Sequence, residues 1–254
     1  MSLATLSDVL QPALKGGYAV GGLVTLGWEE MRAYVAAAEA ENVPVILQAG
    51  PGCREHTPLP VLAAMFRTLA EGASVPVVAH LDHGYSFEEC RIALDCGFTS
   101  LMYDGSKKPL SQNIDETARI AEMAHEAGIS CEGEIGFVGY HGGAESAGTD
   151  PDEAAQFARE TGVDAMAISV GNVLCRPLAA TGWTRGVSVR SRRLRICRWS
   201  SMAAPACRWH SAPRWRAPPA SANTISAPSF AWPSARRFAK RWARTRTGST
   251  GCRS

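Results

Sequence analysis

Short runs of nearly continuous apolar residues alternate along the first two-thirds of the chain with longer amphipathic stretches. The short runs occupy residues 18–25, 43–48, 75–81, 100–104, 130–135 and 165–170. Runs of this kind predict strands covered on both faces, as in a parallel sheet. The longer stretches, over residues 28–41, 58–71, 86–95, 112–127 and 150–161, predict helices. Ser86 followed by Glu89 has the form of a capping box. Gly97, Gly128 and Gly162 follow predicted helices, where a left-handed residue is wanted. One strand recurs every 25 to 35 residues, the spacing of repeated βα units. Six units fit before Val173. The predicted architecture is α/β, a (β/α)₈ TIM barrel of which about six units are recognisable.

Composition divides the chain at the same point. Hydrophobic residues make up 46% and charged residues 20%, which is ordinary for a globular protein and excludes a collagen or a wholly disordered chain. The net charge of +2 hides an asymmetry. All 24 Asp and Glu lie within residues 1–173, whereas residues 174–254 hold none of them and 17 of the 26 Lys and Arg. Six of the seven Trp also fall in the second part. Two separate readings follow: residues 1–173 as a partial barrel domain, and 174–254 as a basic Arg/Trp/Pro/Ala-rich segment with little order of its own. The N-terminus lacks the basic start and apolar run of a secretory signal, and no apolar stretch approaches membrane-spanning length. The eight Cys are scattered without a CxxC pair. These features predict a reduced, cytoplasmic protein in which Cys53, Cys90, Cys96 and Cys131 pack as small apolar residues.

Polar residues gather at the ends of the predicted strands, the active-site end of such a barrel. The third run ends in His80-Leu81-Asp82-His83-Gly84 and the fourth in Tyr103-Asp104-Gly105-Ser106. The fifth contains Glu132-Gly133-Glu134-Ile135-Gly136 and leads to the glycine-rich segment Gly139-Tyr140-His141-Gly142-Gly143-Ala144-Glu145. The sixth ends in Gly171-Asn172-Val173. Each residue also has a plainer role. His80 reads as structural, Asp104 as a turn or cap residue, and His141 as a solvated loop residue. Glu132 and Glu134 share one strand face by the period of two. Taken together on consecutive strand ends, however, imidazole and carboxylates suit Zn²⁺ or a similar divalent ion, with a further carboxylate to move a proton.

The motifs HLDHG, Met102-Tyr103-Asp104-Gly105-Ser106, Asn113, Glu132-Gly133-Glu134-Ile135-Gly136 and Gly142-Gly143, in that order and spacing, resemble the class II, metal-dependent ketose-bisphosphate aldolases. Fructose- and tagatose-bisphosphate aldolases are among them. The resemblance covers residues 1–173 and implies a carbon–carbon lyase that cleaves a ketose 1,6-bisphosphate to dihydroxyacetone phosphate and an aldehyde. By the same resemblance, Asp82 is the proton donor to the C4 oxygen in the aldol direction. His83 is a ligand of the catalytic zinc, and Asp104 and Glu134 are ligands of an alternative or second metal position. Glu145 is the proton-transferring glutamate. The implied zinc acts as a Lewis acid on the ketone, and no lysine stands at a predicted strand end to form a Schiff base. The resemblance also implies a role in carbohydrate metabolism, glycolysis included, and a homo-oligomer. One departure, Gly21-Gly22-Leu23-Val24 where much of the family has Ala-Phe-Asn, leaves the choice among phosphorylated ketoses open.

After Val173 the resemblance stops. The family continues with a metal-binding His, then strands ending His-Gly-Gly-Ser and Asn-Ile-Gly-Thr-Glu, and none of these is present as written. Trp and Met, which have single codons, allow a test against the genetic code. Read from the third base of each codon, residues 199–208 can spell Val-Val-His-Gly-Gly-Ser-Gly-Val-Pro. At the same offset, residues 220–233 can spell Lys-Cys-Lys-Tyr-Asn-Ile-Gly-Thr-Glu-Leu-Arg-Met-Ala. The segment from Leu174 on therefore reads as an out-of-frame translation beginning near codons 173–175. On this reading the chain as written keeps one of three zinc imidazoles, and its aldolase activity is impaired. Two rival readings are a non-catalytic sugar-phosphate-binding module and a basic tail that contacts nucleic acid through Arg and interleaved Trp. No physiological nucleic-acid or membrane partner is expected.

Overall fold

A computed structural model describes residues 2–137, 147–169 and 199–200 of the chain. The elements in order are β1 (Leu3–Ala4), α1 (Leu6–Gly16), β2 (Gly21–Val24), α2 (Trp28–Glu41), β3 (Val45–Ala49), α3 (Pro51–His56), α4 (Leu59–Gly72) and β4 (Val77–Gly84). They continue with α5 (Phe87–Cys96), β5 (Ser100–Tyr103), α6 (Leu110–Glu126), β6 (Ser130–Ile135), α7 (Pro151–Thr161), β7 (Ala165–Ile168) and β8 (Trp199–Ser200). Strands β2 to β8 lie side by side in sequence order, every pair parallel, and β1 pairs with the start of β4. The result is a half-barrel with a helix between successive strands from β2 to β7.

All six predicted strands and all five predicted helices are present, and α2 has the predicted bounds. Gly97, Gly128 and Gly162 take φ of +93°, +74° and +67°, the left-handed turn expected after each helix. Ser86 accepts from the Glu89 N–H as a cap should, but Glu89 turns its carboxylate to the Tyr85 N–H and to Arg54. The reciprocal capping box belongs instead to Thr5 and Asp8, at the head of α1. Neither α1 nor α3 is evident in the apolar pattern, because Pro12 interrupts one and Pro51-Gly52 opens the other. Proline at the first helical position is tolerated because its missing N–H has no intrahelical partner in any case.

Alternation along the strands sorts the two faces of the sheet. Val45, Leu47, Val77, Ala79, Leu81, Leu101 and Tyr103 face outward into a core built with Met31, Leu62, Phe66, Ala93 and Ile120 of the helices. Phe66 meets Phe98 edge-on at 5.7 Å, worth about 0.5–1.5 kcal/mol beyond area burial. The inner face changes character along its length. Ile46, Val78 and Ala165, near the strand starts, pack with Leu6, Val9, Leu10 and Ala13, so α1 closes the N-terminal end of the half-barrel. Nearer the C-terminal ends the inner face carries His80, Asp82, Glu132 and Glu134, all buried. The four described cysteines are unpaired and Cys53, Cys90 and Cys131 are buried; burial pushes the Cys90 thiol up to about 12. No described helix is long and apolar enough to cross a membrane. Of the segment from Leu174 on, only Trp199–Ser200 is described, pairing with Met166 and Ala167.

Candidate active site

Three neighbouring strands deliver the polar side chains to one rim. Strict alternation would send Asp82 and His83 to opposite faces. The register of β4 against β5 shifts between Leu81 and Gly84, and His83 takes a φ of +55°. This left-handed residue, costly for a side chain other than glycine, lets both side chains reach the cleft. His83 Nδ1 lies 2.8 Å from Asp104 Oδ2 and 3.5 Å from Glu134 Oε2. His83, Asp104 and Glu134 each place one ligand atom within 4.8 Å of the other two, among the described residues the one such group suited to a metal. Asp82 stands beside them, its Oδ1 accepting from Gln48 Nε2 at 3.3 Å.

Surrounding groups hold these side chains in place. Asp104 Oδ1 accepts from the Ser106 hydroxyl at 2.6 Å and from its N–H at 3.1 Å. Asn113, on α6, donates to the Glu134 carbonyl at 2.8 Å and accepts from the Thr117 hydroxyl at 3.0 Å. Arg54, on α3, donates to the carbonyls of Asp82 and His83 at 2.5 and 2.7 Å. His80 faces the same interior as Asp82, one step deeper. It pairs with Ser100 Oγ at 2.9 Å and lies 3.6 Å from Glu132, so its structural reading agrees with its contacts. Glu132 and Glu134 share the inner face, as the period of two requires. Glu145 and His141 lie outside the described residues, as does the segment 170–173.

The electrostatics are those of too many acids around one imidazole. Burial alone would lower the His83 pKa, but the Asp104 hydrogen bond and the charges of Asp82 and Glu134 raise it to about 9. Burial, with Asp104 adding to it, pushes Glu134 up to about 8. Burial works to raise the Asp104 pKa, yet the His83 and Ser106 hydrogen bonds hold it below the usual carboxylate range. Glu134 Oε2 is buried without a hydrogen-bond partner. A buried oxygen left so is costly, and a cation among these ligand atoms would satisfy it. The donor set, one imidazole and two carboxylates, thus fits a divalent metal ion.

The structure brings together four of the residues expected from the sequence, His83, Asp104, Glu134 and Asp82, and adds two that the sequence did not mark, Arg54 and Gln48. Gln48 closes a predicted strand and carried a weak signal, being the one polar side chain in that run. Arg54 stands five residues past the end of β3 at Ala49, and nothing in its neighbours marks it.

A family model described as fructose-bisphosphate aldolase class-II matches residues 4–176. The fructose-bisphosphate aldolase of Geobacillus stearothermophilus is 39% identical over 180 residues, covering 68% of this chain and 63% of that protein. The 6-phospho-5-dehydro-2-deoxy-D-gluconate aldolase of Shouchella clausii is 38% identical over 179 residues, covering 68% and 61%. Among solved structures, the YdjI aldolase from Escherichia coli K12 superposes with a TM-score of 0.68 at 31% identity, covering 78% of this chain and 71% of that one. The chain spans 61–63% of the length of these two curated relatives.

Proposed function

From the premise that the chain belongs to the class II fructose-bisphosphate aldolase family, we propose that its cleft is a metal-assisted aldol-cleavage centre. Its substrate is a ketose 1,6-bisphosphate of the fructose or tagatose type, and its products are dihydroxyacetone phosphate and an aldehyde. The observation that carries this reading is the convergence of His83, Asp104 and Glu134 within 4.8 Å, beside Asp82.

His83 would hold a catalytic Zn²⁺, and Asp104 and Glu134 would hold it in an alternative position or hold a second divalent ion. When bound, zinc supplies a Lewis acid for the ketone oxygen of the substrate. Asp82 moves the proton at the C4 oxygen, giving it in the aldol direction and taking it in cleavage. The Gln48 amide on Oδ1 of Asp82 holds that carboxylate toward the cleft. Glu145 is assigned the second proton transfer, at the carbon next to the ketone. The 38% identity to an aldolase named for a phosphorylated keto sugar acid, 6-phospho-5-dehydro-2-deoxy-D-gluconate, supports keeping the choice of sugar phosphate open, as does Gly21-Gly22-Leu23-Val24. The compartment is the cytoplasm, the place of such chemistry is carbohydrate metabolism, and an in-frame form is a homo-oligomer.

In the chain as written this activity is impaired. An eight-stranded barrel carries its phosphate-binding groups after the last two strands, and the chain from Leu174 on lacks the family's motifs there. The test is a coupled assay for dihydroxyacetone phosphate release from fructose and tagatose 1,6-bisphosphates, with and without Zn²⁺, run beside calorimetric Zn²⁺ titration. The expected result is chelator-reversible Zn²⁺ binding with weak cleavage. Absence of stoichiometric Zn²⁺ binding, or cleavage undiminished by chelator, overturns the reading.

A further inference from the structure

We infer that Arg54 is a positioning residue for the aldolase centre, whose guanidinium clamps the backbone bulge that turns Asp82 and His83 to the same side. The inference rests on the proposed metal site only where binding is measured; the clamp itself is argued from contacts.

Arg54 stands on α3, outside the sheet and apart from the ligand set. Its side chain is only 8% exposed, and all three of its nitrogens are used. Nε donates to Glu89 Oε1 at 2.9 Å. Nη1 donates to the carbonyls of Ala49 and Asp82, both at 2.5 Å, and Nη2 to the carbonyl of His83 at 2.7 Å. Two successive carbonyls in β4 are thus bound by one planar fork. They sit where the register with β5 shifts, between Leu81 and Gly84. A buried carbonyl without a partner is costly, and the left-handed His83 adds backbone strain. The guanidinium offsets both at once.

The anchor is equally specific. Glu89 holds Nε with one carboxylate oxygen and accepts from the Tyr85 N–H with the other. Arg54 and Glu89 therefore tie together the ends of three segments: β3 at Ala49, β4 at Asp82 and His83, and the head of α5. A lysine has one compact ammonium and cannot span these acceptors in the plane of the fork. No side-chain atom of Arg54 need touch substrate or metal for the effect. Its role is to make Asp82 and His83, adjacent in sequence, act from one side of a strand.

The test compares the full chain with Arg54→Met, Arg54→Lys and Glu89→Gln. Each is checked first for unchanged far-ultraviolet circular dichroism. Two quantities are then read: hydrogen exchange of the peptide spanning residues 80–86, and affinity for Co²⁺ by calorimetry. In Arg54→Met, exchange in residues 82–84 is expected to accelerate at least about 10-fold relative to β3 and β6. Co²⁺ affinity is expected to fall about 10- to 100-fold, the range for groups that orient metal ligands. Arg54→Lys is not expected to restore either quantity. Glu89→Gln, which keeps the guanidinium but weakens its anchor, decides the matter if Arg54→Met does not fold; it should move both quantities in the same direction by less. A folded variant with exchange at residues 82–84 and Co²⁺ affinity both as in the parent overturns the inference, as does full rescue by lysine. If the parent itself binds no Co²⁺, the metal reading of the site fails, while the exchange data still decide the clamp.

Discussion

His83 Nδ1 and Asp104 Oδ2 are 2.8 Å apart, joined across two adjacent parallel strands. The contact needs the left-handed turn at His83, because an extended residue at that position would carry its side chain to the helix side of the sheet. Together with Glu134 on the next strand, the pair gathers one imidazole and two buried carboxyl groups, a donor set that a divalent cation would satisfy.

Metal binding should therefore stabilise the fold. With free Zn²⁺ at 100 times its dissociation constant, the gain is about 2.7 kcal/mol. Thermal melting with and without chelator measures it. Asp104→Asn should weaken Zn²⁺ by at least about 10-fold in a calorimetric titration.

Asp82 separates chemistry from binding. Asp82→Asn keeps the shape of the side chain beside Gln48 but removes its base, so cleavage should fall about 10²- to 10⁴-fold. Zn²⁺ affinity should stay near the parent value. The coupled assay and the titration, run on the same preparation, check the split.

Gly105 is a packing constraint next to the site. A Cβ there would stand 2.1 Å from Asn113 Oδ1 and 2.7 Å from its Cγ. Asn113 would have to leave the Glu134 carbonyl, which it now holds at 2.8 Å. Gly105→Ala should cost about 1–3 kcal/mol by urea unfolding and also weaken Zn²⁺ binding, whereas a purely local strain would leave the titration unchanged.

Asp164 ties the closed end of the half-barrel together. It accepts from the Cys131 N–H at 3.0 Å and the Ser7 hydroxyl at 2.9 Å, and pairs with His125 at 2.8 Å. Burial works to raise its pKa, but the Cys131 N–H, His125 and Ser7 hydrogen bonds hold it below the ordinary value of 3.8. A depressed folded pKa means that the carboxylate's contribution is present above the unfolded pKa and is lost as pH falls through the folded one. Asp164→Ala should cost about 1–3 kcal/mol at neutral pH. Urea titrations should show the gap between variant and parent holding down to about pH 4 and narrowing below it.

The segment from Leu174 on has its own test in the coding DNA. Sequencing across codons 173–175, and reading the bases downstream at the shifted offset, should yield Val-Val-His-Gly-Gly-Ser and Asn-Ile-Gly-Thr-Glu. A gene with the frame restored should express a protein that binds Zn²⁺ more tightly and cleaves ketose bisphosphate faster than the chain as written. Bases that do not encode those motifs would end the frame-shift reading.

Much of the fold was legible in the pattern of residues. The six central strands announce themselves because a sheet covered on both faces needs nearly continuous apolar side chains. Helix α2 is legible from Trp28 to Glu41 because its ends carry ordinary signals. Helix α1 was hidden, although Leu6, Val9, Leu10 and Ala13 have helical spacing, because Pro12 reads as a breaker. The ligand candidates stood out only together, since each acid or imidazole has a plainer role by itself but their recurrence on consecutive strand ends suits a metal ion. Arg54 did not, because an arginine in a short connection is usually solvated and only its neighbours in space make it otherwise.

Residue type and period alone indicated the βα alternation, the division at Val173 and a cluster of acids and imidazoles at the strand ends, from which the resemblance to family motifs singled out His83, Asp104, Glu134 and Asp82 as candidates. These are local matters of solvation and side-chain periodicity. Tertiary structure decided which of these groups meet. Asp82 and His83 reach one side against the rule of alternation, at the point where the register of β4 with β5 shifts. Arg54, anchored by Glu89 35 residues further on, donates to the carbonyls of Asp82 and His83 at this point. Such an arrangement depends on how whole strands and a distant helix pack together, and no local pattern of side chains records it.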